Sequence, residues 1–192
     1  MYEKRAKEPI FLRTFVAKIE RMKTKLYLVR HGETTDNVRK IMQGQTQGEL
    51  TETGNEQAHQ LAQQLQNWKI DVFVSSDLKR SIDTCRILAL PHGLDVVQTA
   101  LLRERDWGSF TGQYIPDIPL NDPWPEDIES LEALKARAQQ FLDFIRQNFE
   151  GKTVVAVGHG IINKAIQAVH FGKMMRDVAR MSNAEIRYLE LT

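Results

Sequence analysis

The sequence predicts an α/β fold, a three-layer α/β/α sandwich with a mostly parallel central sheet. Three observations carry this prediction. Short apolar runs alternate with stretches of helical period, the pattern of strands separated by covering helices. One run, residues 153–157, is continuously apolar after its first residue and rich in valine, as a strand buried on both faces must be. Three runs end in clusters of Arg, His, Ser or Asp, and open α/β sheets bind their ligands at the carboxyl ends of parallel strands.

Residues 26–29 form the first strand, followed at once by Arg30 and His31. Thr53-Gly54-Asn55-Glu56-Gln57 opens a helix, with Thr53 or Asn55 as its cap and Ala58, Leu61, Ala62, Leu65 and Trp68 on its apolar face. Residues 72–74 are the second strand, closing on Ser75-Ser76-Asp77. The next helix carries Ile82, Cys85, Ile87 and Leu88 at helical spacing, and Pro91-His92-Gly93 stops it. Val96-Val97 is a short strand. Ser130 caps a long helix over 131–149 with a stripe of Leu134, Ala138, Phe141, Leu142 and Ile145, and Gly151 ends it. The buried strand 153–157 runs through Gly158-His159-Gly160 into a helix over 161–169. Alternation over 186–191 marks a last, edge strand. The segment 113–127 holds Pro116, Pro119, Pro123 and Pro125 with Tyr114 and Trp124, so it is a loop able to cover a site.

A chain of 192 residues is expected to form one domain with an adequate core. Its net charge of +1 gives no reason to expect nucleic acid or an anionic membrane as partner, although a basic pocket can hide in a balanced total. Cys85 is the single cysteine, so no internal disulfide can form, and a reducing, cytoplasmic setting is the natural reading. In the helix after Arg80 it reads as a small buried side chain. No run approaches the ~18 apolar residues of a membrane span. Residues 1–22 form an extension to the domain 23–192. They are basic, with Ile10, Phe11, Phe15, Val16 and Ile19 near helical spacing. An early translation start with Met22 opening the domain, a short amphipathic helix, and a targeting or membrane-surface segment all remain open for them. A homodimer is compatible with the composition.

The strand ends concentrate the chemistry. Arg30 and His31 follow the first strand, Arg80 lies one turn beyond the second, and His159 sits at a helix start after the buried strand. Free N–H groups and the positive dipole end of a helix suit an anion. Two guanidiniums would fork onto the equatorial oxygens of a phosphoryl group while one imidazole attacks and the other donates a hydrogen bond. The attacking ring must be neutral, which nearby arginines promote. A carbonyl near Gly32 could fix its tautomer. No metal or other cofactor is required, because the arginines supply the positive charge. Glu104, between an apolar stretch and Trp107, is the candidate acid, a partly desolvated carboxyl of raised pKa. Asp106 and Glu33 compete for that role, and Glu33 more readily pairs or caps locally.

Arg30-His31-Gly32-Glu33-Thr34, Gly54 with Gln57-Ala58, Ser75-Ser76-Asp77-Leu78-Lys79-Arg80, Glu104 with Trp107-Gly108, and Gly158-His159-Gly160 resemble the histidine phosphatase superfamily. This is the phosphoglycerate mutase-like group, whose fold is then expected. The resemblance implies that His31 forms a phosphohistidine and that Arg30, Arg80, His159 and the adjacent Gly160 complete a phosphate pocket. It implies that Asn37 helps to bind the phosphoryl group and that Glu104 donates the proton. Thr34 matches a serine that faces the phosphate in some members, and Gln43-Gly44 matches a loop that can line the pocket. Asn183 resembles an asparagine near the site, with a turn role equally open.

Members that act as phosphoglycerate mutases usually carry a long insertion between the acid and the long helix, with paired arginines for the substrate carboxylate. Here residues 111–127 are short, and their charged residues are Asp117, Asp122, Glu126 and Asp127. A doubly anionic acid is expected to meet carboxylates there. Hydrolysis of a small phosphorylated metabolite is therefore the expectation, by a metal-independent phosphomonoesterase. The resemblance places sugar, α-ribazole and broad-range phosphatases among members of similar build. Tyr114 and Trp124 could stack on a ring or pack on the domain. A mutase-type phosphotransferase and a non-catalytic phospho-ligand binding module are the alternatives. A metal held by His31, His159 and a carboxylate is opposed by the two arginines.

Overall fold

The computed structural model describes residues 23–119 and 123–192. The readings of residues 1–22, and Asp122, lie outside the described residues. Five strands and five α-helices are present among those described: β1 (Thr24–Arg30), α1 (Thr35–Arg39), α2 (Glu52–Leu65), β2 (Val72–Ser75), α3 (Lys79–Ala89), β3 (Val96–Gln98), α4 (Leu131–Asn148), β4 (Thr153–Gly158), α5 (Gly160–Phe171) and β5 (Ile186–Leu191).

The strands form one sheet in the order β3-β2-β4-β1-β5. The first four are parallel, and β5 closes one edge antiparallel to β1. The valine-rich β4 lies at the centre, where both its faces are covered. Alternate residues feed two cores. Leu26, Leu28, Val74, Val154 and Ala156 pack against Leu134, Phe141 and Ile145 of α4 and Ile162 and Ile166 of α5. Val29, Phe73, Val155 and Val157 meet Leu61 and Leu65 of α2 and Cys85 and Leu88 of α3. Each fully buried Leu, Val or Phe contributes roughly 1.5–3 kcal/mol. The result is the three-layer sandwich that the sequence predicts.

Register then decides the site. Arg30 pairs with Gly158, and Ser75 pairs with Val157, so the three strands end level at their carboxyl edge. Gly32 and Gly54 hold the first loop down. A Cβ on Gly54 would lie 2.0 Å from the Glu33 carbonyl oxygen, and one on Gly32 would lie 2.4 Å from the Gly54 oxygen. Two backbones can approach this closely only without side chains.

The structure corrects two local expectations and adds one element. Thr51, rather than Thr53 or Asn55, caps α2, accepting the Gly54 N–H at 2.9 Å. A cap needs extended backbone, and Thr53 and Asn55 already lie inside the first turn. Trp68 lies beyond the end of α2 and packs edge-on to Tyr27, with ring centroids 4.9 Å apart. The short helix α1 has no buried residue and so no apolar period to reveal it; a reciprocal Thr34–Asn37 capping box starts it.

The described parts of the proline-rich segment are fastened rather than free. Tyr114 bridges Ile41, and Ile115 donates its N–H to the Lys40 carbonyl at 2.8 Å. Trp124 packs on Trp107 and Phe110, with the Arg105 guanidinium 4.9 Å from its ring and 4.7 Å from that of Trp107. Of the two roles open to Trp124, packing on the domain is the one observed.

Candidate active site

The carboxyl edge of β1, β2 and β4 opens into a cavity of about 170 Å³. Arg30, His31, Asn37, Gln43, Gly44, Arg80, Glu104 and Gly160 line it among others. Of the residues singled out in the sequence, His159 lies just behind this wall and Thr34 is turned away.

The two histidines face each other, ring centroids 5.1 Å apart. His31 Nδ1 lies 2.7 Å from the Gly32 carbonyl oxygen, an acceptor, so Nδ1 carries the proton and Nε2 keeps a lone pair. His159 is set the other way. Its Nδ1 accepts the Arg80 Nε–H at 3.2 Å, so its proton resides on Nε2, which is buried and has no partner among the described residues. Burial, then Arg80 and Arg30, hold the His31 pKa well below the ordinary 6.5. Burial, Arg80, His31 and Arg30 do the same for His159. Both rings are therefore neutral, one offering a lone pair and the other an N–H.

The arginines divide their tasks, contrary to the expectation of two equal forks. Arg30 spends one Nη1 hydrogen on the Met181 carbonyl at 2.7 Å, and its buried Nε has no partner among the described residues. Arg80 is nearly saturated. Besides His159 it donates to the Gly44 carbonyl at 2.9 Å, to the Thr46 carbonyl and to the Gln47 carbonyl at 3.3 Å. It is 1% exposed, and burial pushes its pKa down to about 10. Arg80 thus clamps the 44–47 loop and sets the His159 tautomer, with little left for a bidentate grip.

Glu104 is placed by hydrogen bonds rather than by an apolar wall. Its Oε1 accepts the N–H groups of Arg105 (2.8 Å), Ile161 and Ile162, while Oε2 accepts only that of Ile161, at 3.1 Å. The expected desolvation against Trp107 is not what holds it. The first turn of α5 does, because its N–H groups have no partner within the helix. Glu104 and Gly160 both line the cavity.

Asn37 lines the cavity, its Oδ1 accepting from Thr34 N and from Asn183 Nδ2 at 3.1 Å. Asn183 also donates to the His31 carbonyl at 3.0 Å, so it ties the nucleophile loop to α1. Thr34 is not among the residues lining the cavity: it is fully buried and its Oγ1 caps α1. Gln43 is buried, with Oε1 unpartnered among the described residues. Glu33 accepts the Thr51 hydroxyl at 2.8 Å, the local role expected for it.

Several residues carried no sequence signal. Arg137, paired with Glu129, donates to the carbonyls of Leu101, Arg103 and Glu104 and so holds the acid's backbone. Thr84 accepts the Gly32 N–H at 3.1 Å. Arg180 lines the cavity. Among the described residues the carboxylates of the proline-rich segment do not line it; Ile115 does, and Asp127 accepts the Ser109 N–H at 2.7 Å. The expected repulsion of an acidic substrate by that loop therefore has no support among the described residues. No three His, Cys or carboxylate side chains converge on a metal position among them either.

The family model for the histidine phosphatase superfamily (branch 1) matches residues 26–192. The chain is 34% identical over 149 residues to a probable phosphoglycerate mutase, GpmB, of Yersinia pestis, covering 71% of this chain and 69% of that one. A mycobacterial glucosyl-3-phosphoglycerate phosphatase superposes with a TM-score of 0.79 at 29% identity, covering 88% of this chain and 90% of that one. A phosphoserine phosphatase of Entamoeba histolytica, solved with 3-phosphoglyceric acid, gives 0.75 at 30% identity, covering 86% and 89%.

Proposed function

The chain belongs to branch 1 of the histidine phosphatase superfamily, and from that premise we propose that it hydrolyses the phosphate monoester of a small metabolite through a phosphohistidine on His31. The observation that carries the reading is the opposed pair of tautomers. His31 presents a lone pair at Nε2, and His159 presents an N–H across a 5.1 Å gap between ring centroids.

In the first step His31 Nε2 bonds to phosphorus as the ester P–O bond breaks. Glu104, protonated on Oε2, gives its proton to the departing oxygen. Arg30 and His159 bind the equatorial oxygens, whose charge grows in the transition state. The Gly32 carbonyl stabilises the imidazole as it becomes cationic. In the second step the Glu104 carboxylate takes a proton from water, the water oxygen bonds to phosphorus, and the P–N bond breaks. His31 returns to its starting tautomer and phosphate leaves. The protein's cations supply the charge stabilisation, so the reaction is expected to proceed in EDTA.

The test compares wild type with His31→Ala in EDTA on p-nitrophenyl phosphate and on sugar, nucleotide, glycerate and ribazole phosphates. Labelled substrate quenched in alkali should leave phosphate on wild type and none on the variant. Equal release by both proteins would overturn the reading.

Phosphotransfer between positions of a phosphoglycerate is the second reading. The similarity to a probable phosphoglycerate mutase and the absence of loop carboxylates from the described lining favour it. Phosphorus NMR of 3-phosphoglycerate with enzyme separates the two: isomerisation without net phosphate release means mutase.

A further inference from the structure

The sheet is covered unequally at its β5 edge. Leu189 and Leu191 pack into the core with α4 and α5 and are each 1% exposed. Ile186, Tyr188 and Glu190 alternate with them onto the α2 side, where Tyr188 is 46% exposed. Trp68, just beyond α2, is 41% exposed. Both rings pack on Tyr27, with centroids 4.9 Å away for Trp68 and 5.2 Å for Tyr188. A groove of about 350 Å³ runs between α2 and the start of β5. Gln57, Gln60 and Gln64 form its α2 wall, and Ala184, Glu185 and Ile186 face them. Ile186 lies two residues before Tyr188 on the same strand face, so the groove leads towards the aromatic patch.

Single exposed apolar side chains are ordinary. Three aromatic rings in contact beside a groove are not. The α2 wall adds a second departure: a solvent-facing helix surface usually carries charges, and this one presents three neutral amides. Covering such a wall costs less than covering a charged one, because no ion is taken out of water. The chain itself arrives at this surface. β1 begins at Thr24, and the preceding Lys23 bonds Glu190 Oε1 at 2.9 Å through Nζ. The Tyr188 hydroxyl donates to the other oxygen of the same carboxylate at 3.2 Å. Residues 1–22 therefore join the domain at the aromatic end of the groove. Their apolar residues Ile10, Phe11, Phe15, Val16 and Ile19 recur near helical spacing.

We propose that residues 10–19 of the same chain lay this apolar side over Tyr27, Trp68 and Tyr188 and into the α2–β5 groove. Of the readings open for residues 1–22, this is the amphipathic helix, packed on its own domain. The reach suffices, since Ile19 is four residues from Lys23 and four residues extend to about 14 Å. The lengths agree as well. From Glu190 to Ile186, β5 spans about 14 Å, and residues 10–19 wound as a helix would span about the same. Tethering favours the same chain over a second copy. A short linker supplies an effective concentration on the order of millimolar, which holds a contact too weak to hold a separate molecule. The proposal does not depend on the reaction at His31.

The test is paramagnetic broadening in the full chain. Gln63→Cys places a nitroxide on α2 at an exposed position outside the groove lining. Cys85 does not compete for the label, because it is fully buried and burial raises its thiol pKa. In the nitrogen-15 spectrum the amides of residues 10–19 should lose most of their intensity and regain it when ascorbate reduces the label. Phe11→Asp/Phe15→Asp on the segment, and separately Trp68→Ser on the patch, should each abolish most of that loss. Full intensity at residues 10–19 beside the active label would overturn the proposal, as would a loss that survives both sets of substitutions. Unlabelled nitrogen-15 chain mixed with labelled nitrogen-14 chain tests the choice of occupant. Equal broadening in that mixture would give the groove to a second copy. Full intensity together with flotation of the protein on vesicles of equal parts phosphatidylcholine and phosphatidylglycerol would give the segment to a membrane surface instead.

Discussion

At the scale of single residues, the site works by assigning hydrogens. Gly32 takes the His31 Nδ1–H, and Arg80 occupies His159 Nδ1. Neither ring can exchange roles with the other without losing a buried hydrogen bond, which would cost about 1–3 kcal/mol. This assigns Arg80 more than a charge. Arg80→Lys keeps the cation but cannot reach His159 and three loop carbonyls together, so kcat/KM should fall about 10²–10³-fold. Steady-state kinetics would show this, together with faster amide exchange over 44–48; near-wild-type kcat/KM would reduce Arg80 to a point charge. Glu104 makes a separate prediction. Glu104→Gln should slow alkyl phosphates about 10²–10⁴-fold and p-nitrophenyl phosphate far less, because a good leaving group needs little protonation. Equal losses on both substrates would remove the acid role.

At the scale of elements, the reacting groups sit on loops while rigid segments fix where those loops go. The Gly32–Gly54 contact presses the nucleophile loop onto the start of α2, and Asn183 fastens it from the β5 side. Gly54→Ala forces the Glu33 carbonyl away from a Cβ that would sit 2.0 Å from it. Overpacking of this kind costs about 1–3 kcal/mol, which in a domain of this size lowers Tm by about 3–10 °C. Calorimetry would measure the shift, and kcat/KM should fall with it because His31 is two residues from Glu33. A variant with unchanged Tm and activity would show that the two backbones can part freely. Much at this scale is legible from pattern: the strands, the long helices and the Ser130 cap follow from period and capping chemistry. The cap of α2 and the five-residue α1 do not, because several Thr and Asn residues compete for the first position and α1 buries nothing.

At the scale of the whole molecule, the buried neutral imidazoles link folding to pH. The folded pKa values of His31 and His159 lie below that of an unfolded histidine. As pH falls through about 6.5, the unfolded chain takes up protons that the native site refuses. Stability present above that pH is therefore lost below it, with a slope approaching about 2.7 kcal/mol per pH unit for two groups. His170, lowered by burial and by Arg146, acts in the same direction. Urea unfolding at pH 7.5, 6.5 and 5.5 should show the decline, and His31→Gln/His159→Gln should flatten it. A flat wild-type curve over that range would mean that the site protonates without penalty. Inorganic phosphate should restore stability, since an anion bound only by the native state adds about 2.7 kcal/mol at a hundred times its Kd.

The sequence by itself determined the α/β sandwich, the central place of β4 and the set of strand-end residues. Those follow from one-dimensional properties: hydrophobic period, β-branched runs and polar groups at their ends. Only the tertiary structure decided what each polar group does. Arg80 became a clamp because the 44–47 carbonyls converge on it, Thr34 a cap because the chain turns into α1, and Glu104 a guest of the α5 amino terminus. Arg180 and Arg137 have no local pattern at all. Arg137 takes its role from the Glu104 carbonyl 33 residues back and Arg180 from a cavity lined by Arg30 and Glu104, and such distances close only when the sheet register is set.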